Sequence, residues 1–67
     1  MKDLIKKAKL EIIKTNEEFD YVAGDLEVAS NIWHSYLSPQ QRLEIMSDFG
    51  IVKSVKDAYK AVAEIMK

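Results

Sequence analysis

The sequence predicts an all-α fold: a small bundle of four helices, or of five if the chain breaks near Gly24. Three observations carry that expectation. Residues recur three and four apart through the first half, at Ile5, Ala8, Ile12, Thr15, Phe19, Val22, Leu26, Ala29, Trp33 and Tyr36, and only Thr15 is polar. Such spacing lays one stripe of a helix against a partner surface. The composition holds one Pro and two Gly in 67 residues, with many Ala, Leu, Ile, Lys and Glu, a balance that favours helix. A strong helix start, Ser38-Pro39-Gln40-Gln41, divides the chain: Ser caps, Pro takes the first helical position and Gln the third.

The first helix is expected over residues 3–14, with Ile5, Ala8 and Ile12 facing inward and Leu4 widening the stripe. Leu10 and Ile13 fall off that stripe and are exposed unless a second surface covers them. Thr15 and Glu18 fit a Thr-x-x-Glu capping box, so a second helix is expected over 16–37, although the unbroken spacing also suits one continuous helix. Gly24 kinks or breaks it, because an interior Gly costs about 1 kcal/mol relative to Ala, and Asp25 can cap the stretch after it. Leu26, Val28, Ala29, Ile32, Trp33, Tyr36 and Leu37 form the widest apolar face of the chain.

The third helix, 39–49, is expected to bury Leu43, Met46 and Ile45 and to stop at Gly50, a left-handed cap residue. The fourth, 52–66, begins near Val52 or after Ser54, whose Ser-x-x-Asp pattern with Asp57 offers a cap. Val52, Val55, Tyr59, Val62 and Met66 make its stripe, with Ala58 and Ile65 beside them. A straight helix from Ile5 to Tyr36 would extend about 48 Å, so the long stripe is expected to be shared by consecutive helices. A dimer is the other way to cover it.

A single domain over residues 1–67 is expected. A chain this short buries only about 60% of its unfolded surface, so its stability is small and oligomerisation is one way to add to it. There is no cysteine, which removes disulfides, thiolate chemistry and the common structural zinc sites. No apolar run approaches the roughly 18 residues that span a bilayer. The opening Met1-Lys2-Asp3-Leu4-Ile5-Lys6-Lys7 lacks the apolar core of a signal peptide, so a cytoplasmic location is expected.

The net charge of −1 conceals an asymmetry. Residues 1–14 carry five lysines against Asp3 and Glu11, whereas residues 15–41 hold five acids and no Lys or Arg. Complementary faces of neighbouring helices within one bundle account for this most simply. No enzyme, cofactor or metal site is expected. His34 is the single histidine and Asn31 stands three residues before it, where a di-metal bundle needs Glu. His34 is read as capping the core edge. The carboxylate pairs Glu17/Glu18 and Asp25/Glu27 suit helix N-termini, and there is no Gly-rich phosphate loop.

What remains is binding. The leading expectation is a small interaction module or regulator acting on a partner protein, with homodimerisation as one form of that. Leu10, Ile13, Tyr21 and Trp33 are the candidate contacts, since Trp and Tyr concentrate at binding hot spots. Trp33 occupies an a-type position and is core more often than interface.

The alternative is nucleic-acid binding through 39–66. A helix-turn-helix would place Gly50 in the turn and a recognition helix from Ser54, but the apolar residue expected six positions after the Gly is Lys56, with Val55 one early. The segment Ile45-Met46-Ser47-Asp48-Phe49-Gly50-Ile51-Val52-Lys53-Ser54-Val55-Lys56-Asp57-Ala58 resembles the first hairpin of the helix-hairpin-helix region of the excinuclease C family, in its apolar pair before Phe-Gly, the Val-Lys after it and the later Ala. That resemblance covers about a fifth of the chain and implies that backbone amides near Gly50, with Lys53 and Ser54, grip phosphate. The family's second hairpin, with its Gly-x-Gly turn, has no counterpart here.

Overall fold

The computed structural model describes residues 2–51 and 54–67. The protein is all-α. Helix α1 spans Lys2–Glu18 and α2 spans Asp25–Asn31, passing directly into a π-helical turn, Ile32–Tyr36; α3 spans Pro39–Asp48 and α4 Val55–Met66. No strand occurs among the described residues. The longest dimension is 36 Å, too short for a straight helix from Ile5 to Tyr36.

The first correction concerns where α1 ends. It runs through Thr15 and Asn16, because the Thr15 hydroxyl turns back and donates to the Glu11 carbonyl at 3.0 Å. That i−4 bond competes with any forward capping role. The helix stops instead at Glu18. The Asp20 N–H donates to the Glu17 carbonyl (3.2 Å) and the Tyr21 N–H to the Asn16 carbonyl (2.9 Å), with Asp20 at φ 53°. This is a Schellman ending with Asp in the left-handed position that Gly usually fills. The stripe expected through Phe19 and Val22 is therefore interrupted: those side chains are 77% and 94% exposed. Gly24, extended at φ −72°, is the N-cap of α2, and its carbonyl accepts from the Val28 N–H. Asp25 is the first helical residue and not the cap, and Leu26, in the first turn, faces outward.

The π turn resets the register of the segment beyond it. The Leu37 N–H reaches the Ile32 carbonyl at 3.2 Å, five residues back. The wider turn brings Leu37 under Ile32, so Leu37 is buried where the three–four spacing expects Tyr36, which is only partly covered. Such a turn frees carbonyls from the α-helical ladder. Arg42 of α3 takes two of them, donating from Nε to the Trp33 carbonyl (2.8 Å) and from Nη2 to the His34 carbonyl (3.1 Å). His34 Nε2 lies 2.6 Å from the Tyr59 hydroxyl, with the rings edge to face.

Helix α3 starts as expected. The Gln41 N–H donates to Ser38 Oγ and the Ser38 N–H to Gln41 Oε1, a complete capping box with Pro39 next to it. Its buried residue is Ile45; Met46 is half-buried, and Leu43, expected inside, is exposed. Gly50 ends the helix at φ 63°. The Gly50 N–H donates to the Ser47 carbonyl and the Ile51 N–H to the Met46 carbonyl, while Ile51 and Met46 both pack on the core, the apolar contact that accompanies a Schellman ending.

Helix α4 begins after Ser54, whose carbonyl accepts from the Asp57 and Ala58 N–H groups. The Ser54 hydroxyl makes no capping bond, so the Ser-x-x-Asp cap does not form. The other expected start, Val52, lies outside the described residues. Ala58, Ala61, Val62 and Met66 are buried and Val55 is exposed, which turns the inner face away from the expected Val55–Tyr59 line. Helix α4 touches α1, α2, the π turn and α3. The four most enclosed large side chains are Ile5, Ile32, Ile45 and Val62, one from each helical stretch. No polar side chain is buried among the described residues.

The helix ending and the α3 anchor can each be tested through stability. Asp20→Gly removes both the left-handed penalty and an acid at a helix C-terminus, so thermal melts should show stabilisation of about 0.5–1 kcal/mol. Arg42→Met keeps much of the stem but strands two carbonyls, and urea unfolding should show a loss of about 1–3 kcal/mol.

Candidate functional site

With Trp33 7% exposed and packed in the core, it offers little ring to a partner and leaves the set of candidate contacts. Of the other three, Ile13 and Tyr21 share one cleft. Leu10 is 68% exposed, Ile13 is half-buried one turn on, and Tyr21 follows the α1 ending. Ile13, Asn16, Glu17, Tyr21, Val22 and Val28 line a cleft of about 230 Å³ at the corner between α1 and α2. Phe19 stands exposed in the same connection. Phe19, Tyr21 and Val22 thus form an exposed apolar corner next to the cleft, with Leu10 exposed separately along α1. Exposed apolar groups gathered at one place mark contact surfaces more often than scattered ones do.

Local chemistry holds this corner in shape. The Tyr21 hydroxyl donates to both Glu27 carboxylate oxygens, at 2.6 and 2.7 Å, so the connection is tied across to α2. The phenol's pKa is raised, first by this hydrogen bond to Glu27, then by desolvation and the carboxylate's charge. The ring face stays available while its polar tip is engaged. A fixed aromatic loses little freedom on binding. Around the corner the charges are acidic (Glu17, Glu18, Asp20, Asp25 and Glu27), whereas Lys6, Lys7 and Lys14 surround Leu10 along α1.

Phe19 and Val22 are exposed apolar residues that the spacing concealed, because they continue the apolar series without a gap. The available signal was Phe19-Asp20-Tyr21, which repeats the logic of Phe49-Gly50-Ile51: an aromatic helix end, a left-handed residue and an apolar side chain. Asp is harder to read there than Gly.

The residues of the alternative reading are placed differently. Gly50, Ser54 and Lys56 are exposed, and Lys53 lies outside the described residues. The Gly50 and Ile51 amides both donate to the preceding helix and are already engaged. A larger, more open hollow of about 520 Å³ beside them is lined by Asp57, Lys60 and Glu64 as well as Phe49, a mixed-charge wall and not a basic one. The ion pair among the described residues is Lys67–Glu64, within α4, so the expected pairing between basic and acidic helices is not made there by direct contact. No three metal-ligating side chains come together among the described residues, and no helix there is long and apolar enough to cross a membrane.

No family model, curated protein or solved structure matches the chain.

The Tyr21–Glu27 bond sets a pH dependence whose sign is fixed. A raised folded pKa favours the neutral phenol, so its stabilisation is complete below the unfolded value of about 10 and is lost as pH rises through the higher folded value. Phenolate absorbance, taken as the difference between the wild type and Tyr21→Phe, should titrate above about 10, and Glu27→Gln should bring the midpoint down.

Proposed function

We propose that this helical bundle is a non-enzymatic interaction module, a small regulator that acts by occupying the surface of a partner protein. The observation that carries the reading is the exposed apolar corner of Phe19, Tyr21 and Val22 beside the α1–α2 cleft. It lies where the chain is shaped by two local devices, the Asp20 turn and the Tyr21–Glu27 bond, and neither contributes a buried side chain. These devices hold Tyr21 and its neighbours in one arrangement before any partner arrives, which lowers the ordering cost of contact. The lone histidine, engaged with Tyr59, gives catalysis no obvious base.

Nucleic-acid binding draws less support. Its phosphate grip would need amides that Gly50 and Ile51 already use, and acids interrupt the lysines of α4.

Paired co-purification from cells that make the protein tests the reading, comparing the wild type with Tyr21→Ala and Val22→Asp. Both variants should keep their helical circular dichroism. A protein held by the wild type should fall by roughly tenfold or more in each variant, as for loss of a hot spot; equal recovery removes the corner as a contact surface. A short DNA duplex at low salt addresses the alternative: binding weakened by salt and by Lys56→Glu would favour it, and no binding would remove it.

A further inference from the structure

Helix α1 carries two stripes. The inner one, Ile5, Ala8 and Ile12, is buried in the core. On the opposite side Asp3, Lys6, Leu10, Ile13 and Glu17 recur at intervals of three, four, three and four, which is the spacing of a two-helix seam. Leu10 stands near its middle, 68% exposed, with half-buried Ile13 one turn on. Within the described fold only Ile13 of this line is partly covered, at the α1–α2 cleft, and Asp3, Lys6, Leu10 and Glu17 are exposed.

The charges of α1 are divided along its length. Residues 2–9 hold Lys2, Lys6, Lys7 and Lys9 against Asp3; residues 10–18 hold Glu11, Glu17 and Glu18 against Lys14. The halves are therefore +3 and −2. This order opposes the helix's own dipole, whose N-terminal end favours acids and whose C-terminal end favours cations. The last turn has no basic residue. A helix charged against its own dipole is relieved by a neighbour of the opposite order, and an antiparallel copy of itself supplies one.

We propose that α1 pairs with α1 of a second copy of this chain in antiparallel orientation, along the seam of Lys6, Leu10, Ile13 and Glu17. In antiparallel seams an a-type residue faces a d-type residue across the pair. With Leu10 set against Ile13 of the second copy, the same register sets Lys6 against Glu17. The two-fold axis repeats both layers, so two apolar layers lie at the centre and an opposite-charge layer closes each end. Each copy also brings its helix N-terminus to the other's C-terminus. The contact is isologous and closes as a dimer. A 17-residue helix is about 26 Å long, so the contact is small and the dimer weak. This inference rests on the interaction-module reading and names a second copy as the partner at the α1 face.

Sedimentation equilibrium up to high micromolar concentration tests it. The wild type should associate reversibly to a dimer, and Leu10→Glu should remain monomeric. Lys6→Glu and Glu17→Lys should each weaken the dimer by roughly tenfold or more, since each sets like charges opposite one another twice. Neither substitution threatens the fold, because Lys6 and Glu17 are exposed and Glu17→Lys suits the helix dipole better than the native residue. Joining both substitutions in one chain should restore the dimer. Restoration in the same chain distinguishes the antiparallel register, since a parallel pair would set each changed residue against its own copy. A monomeric wild type, a dimer indifferent to Leu10→Glu, or a double variant as weak as the singles would overturn the proposal. If the wild type is monomeric while Tyr21→Ala and Val22→Asp still lose a co-purified protein, self-pairing fails and the interaction reading stands.

Discussion

The packing of α4 against every other helical element is the constraint on which the rest of the fold depends. Its buried face is made of the small Ala58 and Ala61 with Val62 and Met66. Ile5, Ile32 and Ile45 of the other elements belong to the same core cluster. With so few residues, the helical elements contribute from one to four buried apolar side chains each, and little redundancy is available if one is lost. The rest of each helix is then free to be polar, and the sequence uses that freedom to carry 21 formal charges. The same economy explains why α3 has only Ile45 inside. That helix is held as much by Arg42 and the Ser38 box as by apolar burial.

Much of this fold was legible in the sequence. The α3 start, its Gly50 ending and the inner stripe of α1 were all readable, because each rests on side chains with narrow conformational preferences. The capping box at Ser38 needs specific partners three residues apart, and they were present. The features that were not legible have a common cause: local hydrogen bonds chose among conformations that the apolar pattern leaves equivalent. Thr15 has the chemistry of a cap and of a back-bonded helix residue alike, and the Glu11 carbonyl decided between them. Asp20 adopts a conformation normally read from Gly. The π turn cannot be seen in a pattern counted by threes and fours; of the two residues expected on the apolar face there, Leu37 is buried and Tyr36 only partly covered.

The candidate surface was legible to the extent that it departed from the stripe. Leu10, Ile13 and Tyr21 were identifiable because they broke the spacing, whereas Phe19 and Val22 were hidden because they obeyed it. Trp33 shows the opposite error of emphasis, an aromatic whose chemistry suits an interface but whose register commits it to the core. Side-chain type alone is thus a weaker guide here than position relative to the helix ends.

The π turn has one more consequence, which concerns length and not composition. The wider turn takes up one extra residue while leaving the flanking segments in nearly the same rotational phase, since the residue five positions on stands where the residue four positions on stands in an α-helix. Deleting a residue within 32–36 would therefore return the segment to ordinary helix with its two ends still in register. What it would remove is the set of carbonyls left free of the ladder, and Arg42 would lose its paired acceptors. The turn thus serves the attachment of α3 and not the direction of the chain.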